Sequence, residues 1–274
     1  MRIQNNITAV NSHRQYGINN YKIGKNVEKL SSGFRINRAG DDAAGLAISE
    51  KMRSQIRGLN MASKNSQDAI SLVQVAEGGM QTIQDILQRM RELAVQSASD
   101  TNTSLDRSAL QKEVNALVDE IDDIARTTEF NTMKLLDGSF SGKKIQAGAN
   151  KDQTMDIVIG TVSSTGLGVT ALKTGDGIST QSAASAALAT IDTALGKVSS
   201  FRADLGAYQN RLEYKIQNLD NAAENMAAAE SRIRDADMAK MMTEFTKNNI
   251  MFQASTAMLA QANALPQGVL QLLG

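Results

Sequence analysis

Apolar residues recur in alternating steps of three and four along most of this chain, a rhythm that restricts it to long helices packed side by side. The pattern is cleanest towards the C-terminus. There Leu188, Ile191, Leu195, Val198, Leu205, Leu212, Ile216, Leu219, Met226 and Ile233 share one heptad track. Arg202, Gln209, Ala223 and Glu230 occupy its remaining turns. A polar residue in such a seam lowers stability but fixes register.

A second long helix is expected from residue 43 to about 98, opened by Asp41 and Asp42 at the N-cap. Its track runs through Met52, Ile56, Leu59, Ile70 and Val73, with Ser63 and Ser66 as small interruptions. It slips by one residue at Gly78 and Gly79, then resumes as Met80, Ile83, Leu87, Met90 and Ala94. A slip of this kind predicts a bend. At about 1.5 Å per residue the helix would reach roughly 80 Å, a length that suits an assembly better than a globule. After a turn at 100–104, Leu110, Val114, Leu117, Ile121 and Ile124 mark a third helix.

The rhythm changes between these elements. Residues 143–148 and 155–160 alternate in character, which predicts a β-hairpin over about 143–160. Residues 161–181, rich in Ser, Thr and Gly, read as an exposed loop on the outermost surface. The expected fold is therefore mainly α, with long antiparallel coiled-coil helices forming a rod and one small β-hairpin region. Residues 1–40 and 236–274 are expected to form an inner terminal coiled-coil domain, and 41–235 a rod-like helical domain.

Both ends carry apolar stripes: Ile3, Ile7, Val10, Val27 and Leu30 in front, and Phe245, Phe252, Leu259 and Leu272 behind. Globular domains hide their termini or leave them polar. Stripes of this kind require a partner, and other copies of the chain supply one.

Composition narrows the alternatives. Lys and Arg number 29 and so do Asp and Glu, so no basic footprint for nucleic acid or an anionic membrane exists. A single proline among 274 residues leaves helices uninterrupted, and cysteine is absent, which excludes disulfides and thiolate chemistry. No continuous apolar run in the first twenty residues marks a secretory signal or a membrane span. Catalytic readings fail on geometry. His13 is the one histidine, so no His dyad or multi-His metal site exists within one chain. Adjacent carboxylates such as Asp122 and Asp123 point about 100° apart on a helix and read as a solvated face. Ser141 to Lys144 fits S-x-x-K but lacks the supporting motifs of a serine acyl-enzyme. No enzyme and no cofactor are expected.

The two ends are similar to bacterial flagellin. At the front the resemblance rests on Glu28-Lys29-Leu30-Ser31-Ser32-Gly33, Arg35-Ile36-Asn37 and Ala39-Gly40-Asp41-Asp42-Ala43-Ala44-Gly45-Leu46-Ala47-Ile48-Ser49. At the back it rests on Leu205-Gly206-Ala207, Gln209-Asn210-Arg211-Leu212, Ala228-Ala229-Glu230-Ser231-Arg232-Ile233-Arg234-Asp235 and Ala257-Met258-Leu259-Ala260-Gln261-Ala262-Asn263. It spans roughly 1–140 and 183–274. The resemblance implies an extracellular filament subunit for swimming motility. It implies export through the flagellar type III apparatus with an export chaperone, then polymerisation under a filament cap and against hook-junction proteins. A hook–filament junction protein shares both terminal patterns and is the alternative. The resemblance also implies contacts to Toll-like receptor 5 at Arg89, Leu93 and Glu113. As in some relatives, Ser139, Ser141, Thr161, Ser163, Ser164 and Thr165 are candidate O-glycosylation sites.

Overall fold

A computed structural model describes residues 6–174 and 177–273, without the side chains of Thr174 and of 265–273. In chain order the elements are α1 (Ile7–Ser32), α2 (Ala43–Ser97), α3 (Ser104–Thr127), β1 (Glu129–Phe130), β2 (Met133–Lys134), β3 (Lys143–Gln146) and β4 (Thr154–Ile157). They continue with the single turns α4 (Ser164–Leu167) and α5 (Ala171–Thr174), then α6 (Gln181–Arg234) and α7 (Met238–Leu273). The chain divides into two compact units, one formed by residues up to Gln55 with those from Glu224, the other by Ile56–Ala223. The divisions fall within α2 and α6, and residues 40/41 and 235/236 lie at the joints between helices.

In the central unit α2 and α6 run antiparallel. Arg91 meets Asp192 at 2.7 Å, while Arg202, further along α6, reaches back to Gln84 at 2.7 Å and Glu77 at 3.4 Å. Arg202 thus sits in the seam as the sequence predicted and ties it to one register. Its Nε is buried without a partner, the cost of placing a guanidinium there. From α6 the seam buries Ala184, Ala187, Ile191, Ala194, Val198, Leu205, Leu212 and Leu219. The third helix, the segment after β2 and the hairpin complete the core with Val114, Val118, Ile121, Ala125, Leu135, Leu136 and Ile157.

The expected slip in α2 does not occur. The helix is unbroken, and its buried positions Ala62, Ser66, Ala69, Val73, Ala76, Met80, Ile83, Leu87, Met90, Ala94 and Ser97 step by four and three throughout. The sequence track went astray by favouring bulk. Ile70 is half-buried, whereas Ala69 and Ala76 lie in the seam, where a small side chain lets a neighbouring backbone approach.

The turn into α3 is set locally. Thr103 caps the helix and forms a reciprocal capping box with Asp106. Two hydrogen bonds from Thr103, through its hydroxyl and its N–H, hold the Asp106 carboxyl below the usual carboxylate range. The hairpin is present as expected but with shorter strands, Lys143 opposite Ile157 and Gln146 opposite Thr154. A second, two-residue pairing of β1 with β2 carries no signal in the sequence.

The segment expected as an exposed loop at 161–181 is a correction. Val162, Ser164, Leu167, Val169, Leu172 and Ile178 are all buried. The two single-turn helices pack on α3, and Asp122 accepts hydrogen bonds from the N–H and the hydroxyl of Ser164, both at 2.8 Å. Gln111 brackets the segment's far end, donating to the Leu172 carbonyl and accepting from the Ile178 N–H. One-turn helices are too short to display periodicity, so their core residues read as loop. Asp122 is exposed, as expected of a solvated face, and also clamps Ser164, while Asp123 pairs with Arg126 on the surface.

The paired glycines of α2 serve different ends. A Cβ on Gly78 meets nothing within 4 Å, whereas one on Gly79 falls 2.9 Å from Leu136 and 2.9 Å from Thr128. Gly78→Ala is therefore expected to stabilise the chain by about 0.5–1 kcal/mol through helix propensity. Gly79→Ala is expected to cost about 1–3 kcal/mol by overpacking. Denaturant midpoints of the two variants check this; equal shifts would refute the assigned difference.

Candidate assembly surface

The terminal unit is built on α1 packed against α7. Their facing residues follow the three–four rhythm, but the seam is more polar than the sequence stripes suggested. On α1 it runs through Ala9, Ser12, Tyr16, Asn19, Ile23, Asn26 and Leu30, each half-buried or buried. On α7 it runs through Met241, Phe245, Asn248, Phe252, Ser255, Leu259 and Ala262. Tyr16 and Phe252 make its aromatic contact, with ring centres 4.9 Å apart. Asn19, 5 % exposed, donates to the Met251 carbonyl at 3.3 Å and to the Ser255 hydroxyl at 2.8 Å. At the far end Asn6 caps α1 and donates to the Ala262 carbonyl at 2.7 Å. Asn26 is buried with no partner for its Nδ2.

These polar positions were missed because single-chain periodicity weighs apolar residues. The signal that would have found them is position: Asn19 and Asn26 fall on the same track as Tyr16 and Ile23. Of the expected assembly residues, Leu30, Phe245, Phe252 and Leu259 belong to this intrachain seam. Ile7, Val10 and Val27 do not. They lie on the outside of α1, with Ile7 71 % and Val10 70 % exposed. Ile18 and Tyr21 join them there, and α7 presents Met238, Met242, Ile250, Met251 and Met258. Ile3 and the Leu272 side chain lie outside the described residues.

The joint between the terminal helices and the long ones is tightly specified. Gly33 ends α1 with φ of 75°, a left-handed conformation that glycine adopts without strain. A single antiparallel bridge joins Phe34 to Asp235, and the Arg35 N–H donates to the Arg234 carbonyl at 2.7 Å. Arg234 lies 4.9 Å over the Phe34 ring and pairs with Glu50 at 2.6 Å. Asp41 accepts from the N–H groups of Arg38 and Asn37 and from Lys25. The Arg38 N–H, then the Lys25 ammonium, then the Asn37 N–H hold its carboxyl below the usual range. Asp42 caps α2 through the Gly45 N–H. The distinctive run from Arg35 to Gly45 is therefore a connector of caps and ion pairs.

The remaining candidate residues are scattered through the central unit. Arg89 and Glu113 stand together on its surface at 2.9 Å, with Glu92 completing the cluster. Leu93, expected beside them as a contact, is 1 % exposed and belongs to the core, because it falls next to the seam position Ala94. Ser139, Ser141 and Thr165 are exposed, and Thr161 and Ser163 half-buried. Ser164 is buried on Asp122 and has no room for a sugar. His13 is exposed beside Tyr16. Among the described residues no group of three His, Cys, Asp or Glu is placed to hold a metal ion, and no helix is long and apolar enough to cross a membrane.

Comparison with known proteins places the chain in a family. Residues 3–141 match the bacterial flagellin N-terminal helical region, and residues 188–273 match the C-terminal helical region. The chain is 57 % identical to a flagellin of Halalkalibacterium halodurans over all of both chains, and 53 % identical to that of Bacillus subtilis, again over all of both. Among solved structures it resembles Bacillus cereus flagellin, with a TM-score of 0.51 at 34 % identity, covering 61 % of this chain and 94 % of that one. The junction-protein alternative rested on the terminal patterns alone, whereas the match to flagellins runs the full length. The chain thus belongs to the bacterial flagellin family and is a non-enzymatic structural subunit of the bacterial flagellar filament.

Proposed function

We propose that the outer faces of α1 and α7 are the surfaces on which successive copies join during self-polymerisation. The observation that carries this reading is the row of exposed large apolar side chains on both terminal helices, from Ile7 and Val10 to Ile250 and Met258. Each buried side chain of this size contributes about 1.5–3 kcal/mol. The α1–α7 seam, diluted by Ser12, Asn19, Asn26, Asn248 and Ser255, recovers little of that within one chain. Neighbouring copies remove the rest of the apolar surface from water, and exposed large apolar side chains clustered on two helices favour an interaction surface.

The same surface must be covered before assembly, which supports an export chaperone on these helices ahead of the flagellar type III apparatus. The cap and hook-junction proteins are proposed to contact the same terminal faces at the two ends of the growing filament. For Toll-like receptor 5, the proposed contact reduces to Arg89 and Glu113, whose exposed pair remains available on the monomer. O-glycosylation is proposed at the exposed hydroxyls of Ser139, Ser141 and Thr165.

A charge on the outer face separates assembly from folding. Val10→Asp and Ile250→Asp are expected to abolish filaments in electron micrographs while leaving the helical circular dichroism of the monomer unchanged, since neither side chain is packed within the chain. Leu259→Asp, in the intrachain seam, is expected to lose both filaments and part of the terminal helicity. Normal filaments from the outer-face variants would exclude this surface.

Monomeric Arg89→Ala is expected to activate the receptor at least about tenfold less well, the scale of a lost exposed charge cluster at an interface. Activation equal to that of the parent chain removes Arg89 from the contact. Native filaments carrying glycans have an intact mass above the 29.4 kDa of the sequence, and a mass equal to it excludes modification.

A further inference from the structure

Two thioethers on α7 stand in a chemical setting that nothing in the filament role requires. Met251 and Met258 are seven residues apart and therefore share one flank of the α1–α7 seam. They are 49 % and 63 % exposed. Between them and α1 lies a groove of about 320 Å³, lined by Asn11, Ser12, Gln15 and Asn19 from α1 and by Ala254 and Ser255 from α7. A thioether is a weak acceptor and makes little use of such donors. A sulfoxide oxygen is a strong acceptor and matches them. Asn11 and Gln15 carry amide donors and Ser12 a hydroxyl, and all three line the same groove.

We infer that Met251 and Met258 form a reversible oxidation site for peroxide-class oxidants, and that their sulfoxides withdraw the chain from polymerisation. The inference rests on the reading of the outer α7 face as an assembly surface. In the reaction a sulfur lone pair attacks one oxygen of hydrogen peroxide. The S–O bond forms as the O–O bond breaks, and the departing hydroxide takes up the proton to leave as water. The sulfur loses two electrons and the peroxide gains two. A dithiol reductant returns the sulfoxide to the thioether, its two sulfurs joining in a disulfide as the oxygen leaves as water, so the change is a switch rather than a lesion.

Two effects act in the same direction. Oxidation turns an apolar contact group into a polar one, which must be stripped of water when the next copy packs on α7. In the free chain the same oxygen finds donors across the groove, so the monomer gains what the polymer loses. Exposure provides the selectivity. Met80 and Met90 are fully buried in the central core and are shielded from solvent oxidant. Met238 and Met242 are exposed and will also oxidise, but they do not line the groove.

The test uses the full-length monomer and hydrogen peroxide, with peptide mapping by mass spectrometry and the critical concentration for polymerisation as readouts. Met251 and Met258 are expected to oxidise well before Met80 and Met90, and the critical concentration to rise about tenfold or more. Treatment of finished filaments should leave both residues largely unmodified. In the double variant Met251→Leu, Met258→Leu, peroxide should raise the critical concentration far less than in the parent, each chain compared with its own untreated value. An unchanged critical concentration in the oxidised parent overturns the inference, as does equal inhibition of the double variant. Should the leucine pair fail to polymerise, enzymatic reduction of the oxidised parent must restore its polymerisation, and lack of recovery is equally decisive against the site. Ile250→Asp keeps the two ideas apart. If that charge blocks filaments and the sulfoxides do not, only the oxidation site falls. If neither blocks them, the assembly surface falls as well.

Discussion

A helix packed against a single partner can bury one stripe of its surface, and the rest must face water or another molecule. That constraint separates the two units of this chain. In the central unit α2 and α6 gain further cover from α3, the hairpin and the single turns of 164–174, so an apolar core closes within one chain. In the terminal unit α1 and α7 have each other, and their outer faces keep Ile7, Val10, Ile250 and Met258 in solvent. The contrast is between a core closed within the chain and a helix pair that leaves large apolar side chains uncovered.

The seam chemistry follows the same division. The central seam is mainly apolar, and its charged member Arg202 reaches Gln84 and Glu77 and ties antiparallel helices to one register. In the terminal seam polar groups recur, and Asn19 is bound at a single place between Met251 and Ser255. A buried amide that is satisfied in one register and orphaned in any other specifies alignment at a cost in stability. The terminal pair thus combines modest burial with a strict register. The connector has the same character, since Gly33, Asp41, Asp42 and Arg234 set its path by caps and ion pairs rather than by packing.

Much of the fold was legible from residue spacing. The long helices, the turn at Thr103, the hairpin and the seam role of Arg202 all follow from periodicity and capping, which are local properties. Legibility failed where small or sparse residues carry the packing. Ala69 and Ala76 were passed over for Ile70, which produced a slip that α2 does not have. Val162, Leu167, Val169 and Ile178 lie too far apart in turns too short to show a period, so a packed segment read as loop. Leu93 looked like a surface contact, because an adjacent heptad position cannot be assigned to core or rim from one strand of evidence.

The sequence by itself determined that this chain is helical, that its termini are apolar and that it belongs with the flagellins, because those properties reside in spacing and in long ordered matches. Tertiary structure decided which apolar residues are buried inside the chain and which stay exposed on it. Phe252 and Leu259 turn inwards on Tyr16 and the α1 seam, while Val10, Ile250 and Met258 turn outwards. Hydrophobicity is the same on either face of a helix; only the position of the partner distinguishes core from interface.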